Sequence, residues 1–247
     1  MKKIKIVLKR QISKCFSFMD NSNFRDVWVI GKLKEIPKGK KILDAGAGET
    51  KYKKYCKHLI YKSQDFNQYD GKGDGVGLQT DTWDVGGIDI VSDVTSIPVD
   101  DSSFDYILCT EVLEHIPYPD MAIKEFSRIL KKGGGLILTA PFCSQTHFAP
   151  YHFCTGFNIY WYREILKRYD MNILEFERNG NYFDFILLEL VRIPIMFKKY
   201  SFMNIFSYIL YVCILPLVLL IWVLSKITKK SEEQMCFGYH ILAEKVK

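Results

Sequence analysis

No C-x-x-C pair occurs in the 247 residues, and the seven cysteines (Cys15, Cys56, Cys109, Cys143, Cys154, Cys213, Cys236) are odd in number and scattered. The spacing predicts a reducing compartment, no disulfide framework and no zinc site, and no metal is assigned. The basic N-terminus MKKIKIVLKRQISKCFSFMD lacks an uninterrupted apolar core, because Lys5, Lys9, Arg10 and Lys14 break it. A secretory signal is therefore not expected. Net charge is +6, but Lys and Arg gather at the N-terminus, around Lys51 to Lys57 and beside a late apolar stretch, not in an aromatic-interleaved strip. That distribution favours a membrane surface as partner and argues against nucleic acid. Internal repeats and low-complexity tracts are also missing.

What remains is enough for one substantial α/β domain. Short apolar runs alternate with helical stretches from residue 40 to 178, the sequence form of parallel βαβ units. Strands are expected at Lys41 to Leu43, Leu59 to Gln64, Ile88 to Ser92, Tyr106 to Cys109, Leu136 to Thr139 and near Ile173 to Phe176, with helices between them. One helix starts at Pro119, is apolar through Met121, Phe126, Ile129 and Leu130, and ends at Lys131, Lys132 and the Gly133 to Gly135 run. Another covers Asn158 to Tyr169. Tyr69 to Gly87, rich in Gly and Asp and without periodicity, reads as a long loop of the kind that carries function. CFGYHILAEK reads as the last strand of the same sheet.

KILDAGAGET runs from an apolar strand into Asp44, Gly46 and Gly48, with a helix expected near Lys51. Glycines permit a tight turn and close approach to a ligand, and a helix N-terminus offers unpaired N–H groups. The turn is incomplete by two patterns: a dinucleotide fingerprint needs glycine at Lys51, and G-x-G-x-G needs it at Thr50. Asp65, at the end of the second strand, is placed to accept both hydroxyls of a ribose. Asp93 closes the third strand, where it could accept an adenine amino hydrogen while the Val94 N–H serves a ring nitrogen. FDYILCTEVLEHIPYPD follows as the fourth strand and its loop. Asp105 and Glu125, the latter expected on an outer helix face, read as structural.

In order and spacing, residues 40 to 180 resemble the class I S-adenosylmethionine-dependent methyltransferases, chiefly small-molecule enzymes with a TEVLEHI-type fourth-strand motif. The resemblance implies a Rossmann-like seven-stranded sheet with an antiparallel last strand and helices on both faces. It implies S-adenosyl-L-methionine as cofactor: Asp44, Gly46 and Gly48 on the methionine side, Asp65 at ribose, Asp93 and Val94 at adenine, Thr110 and Glu111 beside the reacting end. On the acceptor side, His115, and His147, Tyr151 and His152 in APFCSQTHFAPYHFCTGF, lie where carboxyl ends of strands bind ligands. A histidine there suits proton removal from a hydroxyl.

Ile205 to Leu224 carries no charge and is long enough to cross about 30 Å of hydrocarbon. A single crossing would leave the last strand on the wrong side, and lysines flank both ends (Lys198, Lys199; Lys226, Lys229, Lys230). Pro216 is expected to break the run into two short helices. The expected organisation is a basic amphipathic N-terminal region (1–30), a methyltransferase domain (31–181 with 231–247) and a membrane-associating helical insertion (182–230). The expected location is cytoplasmic, peripheral or monotopic on the inner face of a membrane. A soluble cap or dimer surface is the alternative for the insertion; a non-catalytic binding protein and an NAD-dependent oxidoreductase are the alternatives for the function.

Overall fold

The computed structural model describes residues 21–84, 86–202 and 206–247, apart from the side chain of Lys229. The expected amphipathic helix within residues 1–30 falls, for residues 1–20, outside the described residues. Contacts divide the described residues into two units: Arg25–Glu177 with Gly238–Lys247, and Arg178–Phe237 with residues 21–24.

The first unit is built on a sheet of seven strands: β1 (Lys41–Ala45), β2 (Ile60–Asp65), β3 (Ile90–Val91), β4 (Phe104–Thr110), β5 (Leu130–Pro141), β6 (Met171–Asn179) and β7 (Gly238–Lys245). Their order is β3-β2-β1-β4-β5-β7-β6. β1 to β5 pair in parallel, and β7 runs antiparallel to β5. Central strands read as continuous apolar runs because both faces are covered; Ile107, Leu108 and Cys109 of β4 are fully buried. The expected topology is the one observed.

α1 (Asn21–Glu35) buries Trp28, Val29 and Leu33 in a cluster with Ile42, Tyr52, Cys56, Leu59, Leu108 and Ile137. α2 (Pro119–Ile129) begins on Pro119, whose missing N–H costs nothing in a first turn, and buries Ala122, Ile123, Phe126 and Ile129. α3 (Ile159–Arg168) is capped by Asn158, whose side chain accepts from the Trp161 N–H at 3.0 Å.

Several local expectations are corrected. No α-helix follows the glycine turn. The short run from Lys51 to Leu59 instead forms successive tight turns with one 3₁₀ turn, Lys53–Tyr55. Four lysines of one sign in so short a connection, with Tyr52 and Cys56 drawn into the core, leave no room to extend a helix. No helix falls between β3 and β4 either, whereas the β2–β3 connection is the loop expected there. Glu125 is not on an outer face. It is buried, its Oε1 accepts from the Ile97 N–H and Arg128 Nη2 at 2.7 Å each, and it ties down the β3–β4 loop. Asp105 is structural as expected, accepting the Lys41 N–H at 2.9 Å and pairing with Lys131.

The second unit carries α4 (Tyr182–Tyr200) and α5 (Phe206–Ile227) between β6 and β7. α4 opens with a reciprocal cap: Asn181 Oδ1 accepts from the Phe183 and Asp184 N–H groups, and Asp184 Oδ2 accepts from the Asn181 N–H. The Asn181 amide also donates to the Ser225 carbonyl at 3.0 Å, so the start of α4 meets the end of α5 and the helices run antiparallel. Leu187 and Val218 are buried between them, backed by Leu190, Val191, Ile214 and Ile221. Pro216 does not split the apolar run as expected; α5 continues through it. Loss of one ladder hydrogen bond is tolerated because the flanking turns keep theirs and Val218 is anchored on α4.

Candidate cofactor and acceptor site

The turn after β1 carries bare backbone. Gly46 and Gly48 have φ of +69° and +48°, a region that side chains rarely adopt, and a Cβ on Gly48 would sit 2.6 Å from the Trp83 ring. The turn is fixed from the neighbouring strand. Gly48 N–H donates to Asp65 Oδ2 at 2.9 Å, Gly46 N–H to Gln64 Oε1 at 3.2 Å, and Ala47 N–H to the Gln64 carbonyl at 2.9 Å. Gln64 also donates to the Ser92 carbonyl at 2.7 Å, joining the turn to the end of β3. Asp65 Oδ1 accepts from the Asn67 N–H at 2.8 Å. Each Asp65 oxygen therefore holds one N–H and keeps further acceptor capacity.

Asp44 lies beneath the turn, 2% exposed, with Oδ2 accepting from the Tyr61 hydroxyl at 2.7 Å. Burial and, to a smaller extent, the Asp65 charge push its carboxyl up to about 7, against the Tyr61 hydrogen bond. Asp93 is exposed, and its Oδ1 accepts from the N–H and hydroxyl of Thr95 at 2.8 Å each; the Val94 side chain is buried. Thr110 ends β4 opposite Thr139. Glu111, at φ +54°, is clamped: Thr139 Oγ1 donates to Oε1 at 2.9 Å and Arg25 Nη1 lies 3.0 Å from Oε2.

The three expected histidines come together. His115 and His147 have ring centres 4.7 Å apart, His147 and His152 also 4.7 Å, and His115 and His152 6.0 Å. His115 Nδ1 bonds the Tyr151 carbonyl and His147 Nδ1 the Gln145 carbonyl at 2.8 Å. Burial and the neighbouring His147 push His115 down to about 3; burial and His147 also lower His152. Tyr151 packs edge-on against Phe66, next to Asp65, at 4.9 Å.

The long loop covers this region. Leu78 bridges His147, and the Phe148 N–H donates to the Leu78 carbonyl at 3.0 Å. Gly77 has no Cβ because one would lie 2.3 Å from the Thr146 carbonyl oxygen. Trp83 lies against Tyr69 (5.6 Å) and Phe148 (5.2 Å), and Phe148 stacks on His115 (5.3 Å). Trp83 thus joins the glycine turn to the histidine cluster.

Sequence reasoning left out Gln64, Trp83, Arg25 and Glu114. Gln64 and Glu114 stand beside assigned residues, which is a usable signal. Nothing local marks Arg25 or Trp83, because their partners lie far along the chain.

A methyltransferase-domain family model matches residues 43–138, a span from β1 into β5 that includes every glycine, acid and fourth-strand residue assigned to the cofactor. No curated protein sequence matches the chain. Among solved structures, the cyclase SpnF is 17% identical with a TM-score of 0.53, over 90% of this chain and 80% of its own. A protein from Bacillus halodurans C-125 described as a methyltransferase is 12% identical with a TM-score of 0.53, over 90% of this chain and 100% of its own. These likenesses show a shared fold. The family match identifies residues 43–138 as a methyltransferase domain, and the strand order is that of the class I S-adenosylmethionine-dependent methyltransferase fold. The protein is an enzyme that transfers methyl groups.

Proposed function

We propose that the protein methylates an oxygen of a small molecule, lipid or lipid-linked glycan presented at a membrane surface. The observation that carries this reading is the juncture at Trp83, where the Asp65-fixed glycine turn meets three imidazoles and an aromatic wall at the carboxyl ends of the strands. The residues fit the cofactor. The turn offers backbone without a Cβ at Gly46 and Gly48, beneath the Trp83 ring, and Asp65 keeps lone pairs for two ribose hydroxyls. Asp93 and Val94 stand one strand further on for adenine.

When bound, S-adenosylmethionine supplies a methyl group on a sulfonium, open to in-line displacement. Phe66, Trp83, Phe148 and Tyr151 exclude water from that line, and alignment supplies much of the rate. For a hydroxyl acceptor, a proton must leave as the oxygen–carbon bond forms and the sulfur–carbon bond breaks. His152 is the group for it. The Ser144 hydroxyl donates its only proton to the Thr155 carbonyl at 2.9 Å, so His152 Nε2, 3.1 Å from Ser144 Oγ, carries hydrogen and Nδ1 holds the lone pair. Loss of a general base typically costs about two to four decades in rate.

The membrane part rests on α5. Beyond the stripe facing α4, its exposed side chains include Tyr208, Ile209, Val212, Leu215, Leu219, Leu220 and Val223, an apolar surface broader than a soluble helix leaves open. The antiparallel hairpin returns the chain to its starting level, which supports an in-plane or re-entrant anchor on the inner face.

Calorimetry with S-adenosylhomocysteine and with NAD tests the cofactor. Asp65→Ala is expected to weaken the former by about one to two decades, as loss of a charge-assisted hydrogen bond would. Binding of NAD alone would favour an oxidoreductase, and cofactor binding without turnover a binding protein. Flotation with anionic vesicles tests the anchor. Replacing Leu217, Leu220 and Trp222 with Ser should release the protein without changing cofactor affinity, whereas wild-type protein that stays with the soluble fraction would make the hairpin a cap or dimer surface.

A further inference from the structure

Glu114 sits one residue before His115, is 1% exposed, and its Oε2 has no hydrogen-bond partner. Its Oε1 faces His115 Nε2 at 3.8 Å and His147 Nε2 at 3.9 Å, too far for hydrogen bonds. The protonation of both rings is fixed from behind. Each Nδ1 meets a backbone carbonyl, which only accepts, so each Nδ1 carries hydrogen and Nε2 is the atom of each ring left to hold a lone pair facing Glu114. Two lone pairs and a carboxyl oxygen therefore converge on one point, and a single proton on Glu114, which burial favours, satisfies at most one of the two lone pairs. A cation between the three groups satisfies both lone pairs and the carboxylate at once.

We infer that Glu114, His115 and His147 form a binding site for a divalent first-row transition metal ion, a two-histidine, one-carboxylate set with open positions for an oxygen of the acceptor. The donor atoms lie within 4.8 Å of one another. Ligands about 2.0 to 2.2 Å from a shared ion stand roughly 3 to 4 Å apart, so closure around a metal needs only a small contraction. The backbone carbonyls behind both Nδ1 atoms are the outer contacts that orient ligating histidines. Imidazole nitrogen with a single carboxylate selects zinc, iron(II), cobalt(II) or manganese(II) over calcium or magnesium, which favour all-oxygen shells.

This departs from the expectation of no metal drawn from the cysteines, because no cysteine takes part. It deepens the proposed function and rests on it for the role of the ion. An acceptor hydroxyl bound there loses its proton more readily, that proton passing to His152 Nδ1, and is held for attack. The acceptor class narrows to molecules with an accessible hydroxyl, and a vicinal or phenolic pair fills two open positions best.

The test uses the full chain without an affinity tag, stripped with chelator, and cobalt(II) chloride as the probe. One tightly held cobalt per chain is expected after dialysis, with two exchangeable, hyperfine-shifted imidazole N–H resonances, one for each Nδ1–H. His115→Ala, His147→Ala and Glu114→Gln should each weaken cobalt binding at least about tenfold, and His58→Gln should not. S-adenosylhomocysteine affinity, measured on the same samples, reports folding and the cofactor site separately. Cofactor binding without retained cobalt, or cobalt without the two shifted resonances, overturns the metal site and leaves the methyltransferase reading standing. Cobalt retained with the two resonances but no cofactor binding does the reverse. The resonances need no variant, so a misfolded substitution cannot obscure the result.

Discussion

Arg25 Nη1 lies 3.0 Å from Glu111 Oε2, and this ion pair, with the Thr139 hydroxyl on the other oxygen, holds Glu111 in a left-handed backbone conformation at the end of β4. Both partners are mostly enclosed; Glu111 alone is left with an uncompensated charge, whereas Arg25 alone keeps only the more distant Asp26, at 3.8 Å. Arg25→Met is expected to destabilise the fold by about 1 to 3 kcal/mol, and Glu111→Gln by less, because its amide still accepts from Thr139. A double-mutant cycle by denaturant unfolding should return a coupling energy clearly above zero. Additive losses would mean the pair contributes nothing beyond its separate members.

The Asp44 carboxyl gives the stability curve a definite slope. Its ordinary value is 3.8 and the folded protein raises it to about 7, so the folded state binds this proton more tightly than the unfolded chain. Its contribution is complete below about pH 4 and is lost as pH rises through 7. Asp44→Asn keeps an oxygen for the Tyr61 hydroxyl and removes the titration. The variant should match wild type near pH 4 and exceed it at pH 8 by an amount on the order of 3 kcal/mol. Parallel unfolding curves across that range would show that Asp44 is ionised throughout.

Thr50 occupies the position where a G-x-G-x-G turn carries glycine, and it adopts φ +53° despite its branched Cβ. A left-handed conformation costs an L-residue about 1 to 2 kcal/mol, part of which glycine gives back through its freer unfolded state. Thr50→Gly is expected to raise stability by roughly 0.5 to 1 kcal/mol, read as a shift in the denaturant midpoint at constant slope. A lower midpoint would mean that Thr50 makes a contact worth more than its strain.

Trp83 covers the Gly48 face, so a cofactor entering there must change the surroundings of the indole. Saturating S-adenosylhomocysteine is expected to alter intrinsic fluorescence in wild type and to lose most of that response in Trp83→Phe. A full response in the variant would assign the signal to Trp28, Trp161 or Trp222 and place the loop away from the ligand.

The sheet was legible because each strand's burial is written in contiguous apolar residues: Ile42 and Leu43, Ile107 to Cys109 and Leu136 to Leu138 are all fully buried or nearly so. The glycine turn and the acids after β2 and β3 were legible because their chemistry sits at fixed distances from those strands. Connections were not. Whether Lys51 to Leu59 becomes a helix depends on how Tyr52 and Cys56 seat in the core, and whether Pro216 breaks a helix depends on the support it receives from α4. The Glu114 cluster was half legible: Glu114 and His115 are adjacent, but His147 reaches them only because the long loop pins the segment after β5 through Leu78. Arg25 reaches Glu111 across most of the first unit's sequence, and a one-dimensional reading has no means of pairing them.

The place of α4 and α5 in the chain sets an order of assembly. β7 lies between β5 and β6 in the sheet, yet it follows the hairpin in sequence. While the chain grows, β5 presents an unpaired edge until both apolar helices have been made, and an open edge beside an emerging hydrophobic hairpin invites aggregation. A bilayer that takes up the hairpin first would shelter those helices during that interval and deliver β7 to a sheet waiting for its final strand. On the proposed membrane reading, the same surface would act first on the nascent chain, as a folding partner.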